Sequence, residues 1–193
     1  MHQSYLLEEF PKEVRLKDDF TCKVRPLEEG DEKELHEFFM ELPDQERMFI
    51  KHRVTEPSVI KQWCENIDYG SNLPLLAFYG ERVIGAATLH QQLGGWKRHI
   101  GRVSVLVHAK YRGRGLARAL VTHIVDFARN VGLDKVEAEF IGEQEAAIKM
   151  FALLEFSNLV RLSDYVKDTQ EISHDYVLMG LNLTTDEEYA GMG

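Results

Sequence analysis

The sequence has little cysteine: only Cys22 and Cys64 occur among its 193 residues. Two thiols cannot build a disulfide framework or a four-sulfur metal site, which excludes the disulfide-stapled domains and zinc ribbons. His90, His99 and His108 are nine residues apart, and no His-Glu-x-x-His pattern occurs. We therefore predict that the protein binds no metal, and low cysteine usage favours a reducing cytoplasm.

Long apolar runs are also missing, because no stretch approaches the ~18 residues needed to cross a bilayer. The first ten residues turn acidic at Glu8-Glu9 and lack a basic segment followed by an apolar one. A secretory signal is therefore not expected. These two observations predict a cytoplasmic protein that does not act in or on a membrane.

Basic residues are outnumbered, with 23 Lys and Arg against 32 Asp and Glu and a net charge of −9. Such a chain is a poor general partner for nucleic acid, so we expect none. Residues 93–135 nevertheless hold nine basic groups and only two acids, which gives this stretch +7 and the remainder −16. The basic stretch fits either a solvated face or a pocket for a phosphorylated cofactor, with a cationic acceptor attracted to the acidic remainder.

No internal repeat, low-complexity tract or linker divides the chain. We predict one domain over residues 12–183, with terminal extensions 1–11 and 184–193. Hydrophobic periodicity and turn residues predict a mixed α/β fold in the order ββααβββαβαββ. The predicted elements are a hairpin over 12–25, helices over 28–42 and 57–67, a hairpin over 75–92, a strand over 99–108, a helix over 116–131, a strand over 135–141, a helix over 143–154, and strands over 159–166 and 175–183.

The most informative segment runs from Val103 to Ala117, where a strand ends, two glycines follow and an amphipathic helix begins. The first amides of a helix have no helical partner and lie at the positive end of its dipole, so they can bind a phosphate. Gly113 and Gly115 would let the backbone approach it closely. Glycines used for turn geometry alone would give the same pattern, but Arg112 and Arg114 beside them favour a pyrophosphate site.

The stretch Arg112-Gly-Arg-Gly-Leu-Ala117 resembles the Gln/Arg-x-x-Gly-x-Gly/Ala signature of the GNAT superfamily of N-acetyltransferases. The predicted element order resembles that fold from about residue 12 to 183. The resemblance implies a seven-stranded, mostly antiparallel sheet with a splayed central parallel pair and four helices. An N-terminal hairpin ending at Val24-Arg25-Pro26 would extend it, as in relatives of bacterial protein lysine acetyltransferases.

The resemblance also implies acetyl-CoA, or another acyl-CoA, as co-substrate. In the family the pantetheine arm bonds the backbone of the strand before the loop, here at Val105, Leu106 and Val107. The loop amides then hold the pyrophosphate. The residues implied for this second role are Arg112, Gly113, Arg114, Gly115, Leu116 and Ala117.

A second matching segment, from Gln144 to Phe156, resembles the family pattern Asn-x-x-Ala-x-x-x-Tyr-x-x-x-Gly-Phe. Gln144 replaces Asn and keeps an amide that can bond pantetheine. Phe151, also expected at the cofactor, replaces the Tyr that often protonates the leaving thiolate. Because Phe has no hydroxyl, this proton donor is either missing or supplied by another residue. Glu155 replaces Gly, which predicts an altered turn after the helix.

Acylation of an amine needs a neutral nitrogen, so a base that takes its proton is expected. The glutamate that the family often carries before the phosphate loop is absent, because Arg102 and Ser104 occupy that stretch. Glu137 and Glu139 share one face of the next strand. Glu139 aligns with the glutamate proposed as base in the protein-acetylating relatives, although a solvated strand residue fits too. His99 is a weaker alternative and could equally be structural.

The resemblance predicts an acyl-CoA-dependent N-acyltransferase whose acceptor is a small-molecule amine or a protein lysine. Glu46, Arg47 and His52 lie between the first two helices and are weak acceptor candidates. An acyl-CoA-binding regulatory domain with little catalysis is the alternative, motivated by Arg102 and Phe151. An exposed edge strand that pairs two copies into a homodimer is a further expectation.

Overall fold

The computed structural model describes residues 7–47, 50 and 53–184, and within them it contains eight strands and five α-helices. The strands are β1 (Lys12–Arg15), β2 (Thr21–Pro26), β3 (Asn72–Tyr79), β4 (Arg82–Gln91), β5 (Ile100–Val107), β6 (Lys135–Ile141), β7 (Ser157–Lys167) and β8 (Ser173–Asn182). The helices are α1 (Glu32–Glu41), α2 (Asp44–Arg47), α3 (Pro57–Glu65), α4 (Leu116–Asn130) and α5 (Glu145–Ala152). No helix of this described part is long and apolar enough to cross a membrane.

All eight described strands form one sheet in the order β1-β2-β3-β4-β5-β6-β8-β7. Every neighbouring pair is antiparallel except β5 and β6, which run parallel. Within these two strands, pairing covers only residues 100–102 and 135–137, after which the strands part. We call this opening, beyond Arg102 and Glu137, the splay.

The predicted mixed sheet with a splayed parallel pair is confirmed, with different counts. The N-terminal hairpin extends the sheet as predicted, because β2 pairs along β3, and the described sheet has eight strands in all. The short α2 adds a fifth helix in the described chain. Helix α1 begins four residues later than predicted, because the Asp31 carboxylate binds Arg25 and accepts the Glu28 amide at 2.8 Å, which holds residues 28–31 as a turn.

The sheet separates two apolar layers, which define its two faces. On the α4 face, the buried stripe of α4 packs with alternate residues of β3 to β6 and with β8, as in Val103, Ala138 and Val177. On the α1 face, α1 and α3 pack over the other side of β3 and β4. Because side chains alternate along a strand, the neighbours of Ala138 on β6, Glu137 and Glu139, lie on the α1 face.

Helices α4 and α5 end in the same backbone motif. After α4, the Leu133 amide donates to the Ala128 carbonyl at 3.0 Å, and Gly132 has a φ of 82°. After α5, the Phe156 amide donates to the Phe151 carbonyl at 3.1 Å, and Glu155 has a φ of 69°. Glu155 therefore adopts the left-handed conformation that glycine would supply, and the turn keeps its shape. The predicted alteration of this turn is wrong.

Candidate active site

The phosphate loop, residues 112–117, joins the end of β5 to α4. Gly113 and Gly115 have φ values of 78° and 91°, a region that residues with a side chain rarely adopt. A Cβ built at either glycine meets no described atom within 4 Å, so the loop opens outward. The amide of Ala119 donates to the Gly115 carbonyl at 3.0 Å, as expected where α4 begins. Of the loop amides before it, that of Arg112 donates to the Ala109 carbonyl at 3.3 Å, while those at the start of α4 have no helical acceptor and fit a pyrophosphate.

The two arginine side chains of the loop brace it instead of pointing freely outward. Arg112 donates from Nε to the Val107 carbonyl at 3.0 Å and from Nη2 to Glu46 Oε2 at 2.6 Å. The Arg114 guanidinium stacks over the Phe20 ring, 4.8 Å from its centroid. The backbone amides are therefore the principal anion donors that this loop offers.

Two neighbouring segments fix the ends of the phosphate loop. The Lys17 amide, in the turn between β1 and β2, donates to the Arg114 carbonyl at 3.1 Å. The buried His108 lies 3.1 Å from Glu41, at the end of α1, and its Nδ1 accepts the Lys110 amide at 3.2 Å. The N-terminal hairpin and α1 thus both hold the loop in position.

The β5 residues expected at pantetheine lie where the splay leaves one edge of β5 without a neighbour among the described strands. Val105, Leu106 and Val107 pair with β4 on their other side. The carbonyl of Val107 already accepts a hydrogen bond from Arg112. The remaining backbone groups on that edge fit the amides and carbonyls of a pantetheine arm, because they need a hydrogen-bonding partner.

Gln144 and Phe151, the downstream cofactor candidates, have different environments. Gln144 Oε1 accepts the Ile141 amide at 3.0 Å and so braces the turn into α5, which leaves its NH2 group as the part able to reach a ligand. Phe151 is 1% exposed, and its ring lies edge-on to Phe140 and Phe156, with centroid distances of 4.9 Å to each. Phe151 thus belongs to the apolar layer on the α4 face.

Glu139 lies on β6 beside the splay, with its side chain 26% exposed. Its Oε2 is 3.6 Å from Arg102 Nη1, which reaches across the point where β5 and β6 part. Its Oε1 accepts a hydrogen bond of 3.1 Å from the Tyr176 hydroxyl on β8. Glu137, two residues earlier, instead pairs with Lys97 at 3.5 Å. The structure thus distinguishes two glutamates that the sequence places on one face.

His99 and the acceptor candidates are distributed around this site. His99 immediately precedes β5, at the paired end of β5 and β6, where its carbonyl accepts the Asp134 amide at 3.0 Å. It is therefore at the opposite end of β5 from the phosphate loop. On α2, Glu46 holds Arg112, and Arg47 donates to the Met40 carbonyl at 2.8 Å. His52 lies outside the described residues.

Sequence analysis missed Tyr176, because no motif contains it and only the pairing of β6 with β8 brings it to Glu139. Burial, with the nearby Glu139 charge, raises the pKa of Tyr176 to about 12. Two further polar contacts extend along the α1 face, from His90 to Asn72 at 2.7 Å and from His90 to Ser104 at 3.4 Å. The described residues contain no group of three metal-ligating side chains.

An open phosphate loop beside a splayed parallel pair, with a carboxylate across the opening, defines a fold and site suited to acyl-CoA. The family model for the acetyltransferase (GNAT) family matches residues 33–156, which span α1 to the turn after α5. The chain belongs to this family, as the loop motif predicted. The protein is therefore an N-acetyltransferase, of a family that uses acetyl-CoA and amine acceptors.

Individual relatives agree with this assignment. An acetyltransferase of Sodalis glossinidius (strain morsitans) is 28% identical over 124 residues, which cover 64% of this chain and 74% of that relative. The GNAT domain of S. lividans PAT has a TM-score of 0.73 at 21% identity, over 89% of this chain and 96% of that one. The Salmonella typhimurium protein yncA, solved with its cofactor acetyl-CoA, has a TM-score of 0.72 at 19% identity, over 85% and 95%. Both structures share the fold of this chain.

Proposed function

We propose that this enzyme transfers the acetyl group of acetyl-CoA to the primary amine of a small molecule or of a protein lysine, by direct attack within a ternary complex. The observation that carries this proposal is the splay, with an anion-binding loop at the end of β5 and Glu139 on β6. One opening in the sheet thus adjoins both the candidate cofactor residues and a candidate base.

The residues on the cofactor side would act mainly through their backbone. The amides of the phosphate loop would hold the pyrophosphate, and the free edge of β5 from Val105 to Val107, together with Gln144, would hold pantetheine. Acetyl-CoA supplies the activated acetyl thioester. Because β5 and α4 are rigid elements, they would hold the cofactor in one orientation and so favour attack by a neighbouring amine.

On the acceptor side, Glu139 would take a proton from the attacking nitrogen, directly or through water. An amine is cationic at neutral pH and attacks only after it loses a proton, so a nearby carboxylate promotes the reaction. Glu139 lies on the α1 face beside the opening and is partly exposed, which leaves it accessible to an acceptor.

The second candidate function is binding of acyl-CoA without appreciable turnover. Two observations favour it. Phe151 has no hydroxyl and is fully packed, so it cannot give a proton to the leaving thiolate. Glu139 is also paired with Arg102, and an opposite charge favours the ionised carboxylate and weakens it as a base.

Turnover and binding, measured side by side, separate the two functions. We expect calorimetry to show that the protein binds CoA. We also expect the release of CoA from acetyl-CoA to accelerate when small primary amines or lysine-containing peptides are added. The same peptide with acetylated lysine is the matched control and should give no acceleration. CoA binding without turnover on any amine would replace the enzymatic proposal with the binding function.

A further inference from the structure

The carboxylate of Glu139 is held from two sides by groups that come from different strands. Arg102 on β5 approaches Oε2 at 3.6 Å, and the Tyr176 hydroxyl on β8 donates to Oε1 at 3.1 Å. Each oxygen therefore has its own partner. A partly exposed glutamate would otherwise sample several rotamers, and holding it in one of them costs conformational entropy.

We propose that Tyr176 is a positioning residue that, together with Arg102, holds the Glu139 carboxylate beside the splay in the orientation in which it receives the proton of the acceptor amine. This inference rests on the proposed function, because it assigns to Glu139 the role of base. It adds a residue that lies outside the matched family segment 33–156.

The environment of Tyr176 suits a permanent hydrogen-bond donor. Its pKa is raised to about 12, first by burial and then by the Glu139 charge, so the phenol stays protonated throughout the range in which an acetyltransferase works. A protonated phenol can stabilise the carboxylate anion and cannot compete with it for the acceptor's proton.

The sheet fixes Tyr176 in this position. On β8, Tyr176 pairs with Ile141 of β6, and its neighbour Val177 is 1% exposed within the α4-face core. On β7, the ring of Tyr165 lies beside it, tilted by 46° with a centroid distance of 5.8 Å. A one-residue slip of β8 would bury the hydroxyl on the α4 face, so the register alone sets the contact with Glu139.

Several charged groups contribute to the field at Glu139. Arg102 approaches from β5, Glu137 lies on the same strand, Lys97 pairs with Glu137, and Tyr176 approaches from β8. Arg102 and the Tyr176 hydroxyl favour the ionised carboxylate, whereas the Glu137 charge opposes it and is offset by Lys97. Removing the hydroxyl should therefore make Glu139 easier to protonate.

The test compares Tyr176→Phe with Tyr165→Phe, which removes the hydroxyl of the neighbouring Tyr165, a residue that is 66% exposed, and leaves Glu139 untouched. In CoA-free protein, carbon NMR of the Glu139 carboxyl should show its titration midpoint at higher pH in Tyr176→Phe and unchanged in Tyr165→Phe. The acidic limb of kcat/KM for the acceptor should move to higher pH by the same amount, while CoA affinity stays within about twofold.

The outcomes are distinguishable. An unmoved carboxyl titration in a folded Tyr176→Phe protein, or an equal shift in Tyr165→Phe, overturns the positioning role. If the titration midpoint of the Glu139 carboxyl shifts but the acidic limb of kcat/KM does not, Tyr176 does position the carboxylate. The same result shows that Glu139 is not the base, which overturns that part of the proposed function. Arg102→Gln is the second variant, and it should move both midpoints further, because it removes a full charge.

Discussion

The phosphate loop offers backbone amides from consecutive residues, whereas the cluster around the proposed base combines the side chains of Arg102, Glu139 and Tyr176 from three strands. The loop depends on glycine conformation and a helix start, which are local properties of the chain. The cluster depends on strand order and register, which are properties of the whole sheet. The two sides of one opening are therefore sensitive to different kinds of substitution, and variants can test this contrast.

The largest expected effect is on the loop. Gly115→Asp should lower CoA affinity at least 100-fold, about 2.7 kcal/mol or more, because it places a carboxylate where, in our proposal, the loop amides hold the pyrophosphate. Isothermal titration calorimetry with CoA measures the loss. Gly115→Asn adds nearly the same side chain without the charge and should lose less.

Gly95→Asp is the control for backbone strain. Gly95 lies between β4 and β5 with a φ of 81°, close to the 91° of Gly115, and a Cβ there also meets no described atom within 4 Å. This variant should bind CoA normally. If Gly115→Asp folds and binds CoA as tightly as Gly95→Asp does, the loop is not the anion site.

The next effect concerns the cluster. Glu139→Gln keeps an oxygen for the Tyr176 hydroxyl but removes the proposed base, so kcat should fall by roughly 100-fold. CoA affinity should stay within about twofold, which is the reverse of the loop variant. Steady-state kinetics and calorimetry on the same protein give both values.

Glu137→Gln is the matched control for this second variant, because it lies on the same strand and face but pairs with Lys97. We expect its kcat to stay close to that of the unmodified enzyme. Equal losses in the two variants would mean that the negative charge of the face, and no single base, supports turnover.

Phe151→Tyr should affect folding more than catalysis. Phe151 packs edge-on against Phe140 and Phe156, so an added hydroxyl would be buried without a partner, at a cost of about 1–3 kcal/mol. Denaturant unfolding measures the loss. The family pattern alone predicts that restoring the tyrosine raises kcat or leaves it unchanged, and a clear rise in kcat would show that the ring can turn toward the cofactor.

The smallest effect is expected at the two helix ends. Glu155→Gly should stabilise the protein by about 0.5–1 kcal/mol. The change removes a left-handed conformation that costs a non-glycine residue roughly 1–2 kcal/mol, and the greater backbone entropy that glycine loses on folding offsets part of this gain. Gly132→Ala should destabilise it by a similar amount. Thermal unfolding of both variants measures how much a glycine at this position of the helix-end turn contributes to stability, after α5 and after α4.

The sequence predicts the local features of this molecule better than those that depend on the whole sheet. The loop at Gly113 and Gly115 and the periodicity of α4 were accessible, because they depend on residues a few positions apart. Tyr176 was not, because its contact with Glu139 spans 37 positions and requires the β6–β8 register. Phe151 was placed at the cofactor by alignment, while the structure packs its ring among aromatics that pattern alone could not locate.

The position of β8 has a consequence for synthesis of the chain. It is the last described strand, yet it lies inside the sheet, between β6 and β7. A chain that stops before Ser173 leaves β7 without a neighbour and exposes the unpaired edge of β6, a template for pairing with other chains. This half of the sheet therefore cannot close on a ribosome until residues 173–182 have emerged, and the nascent chain exposes both unpaired edges until then.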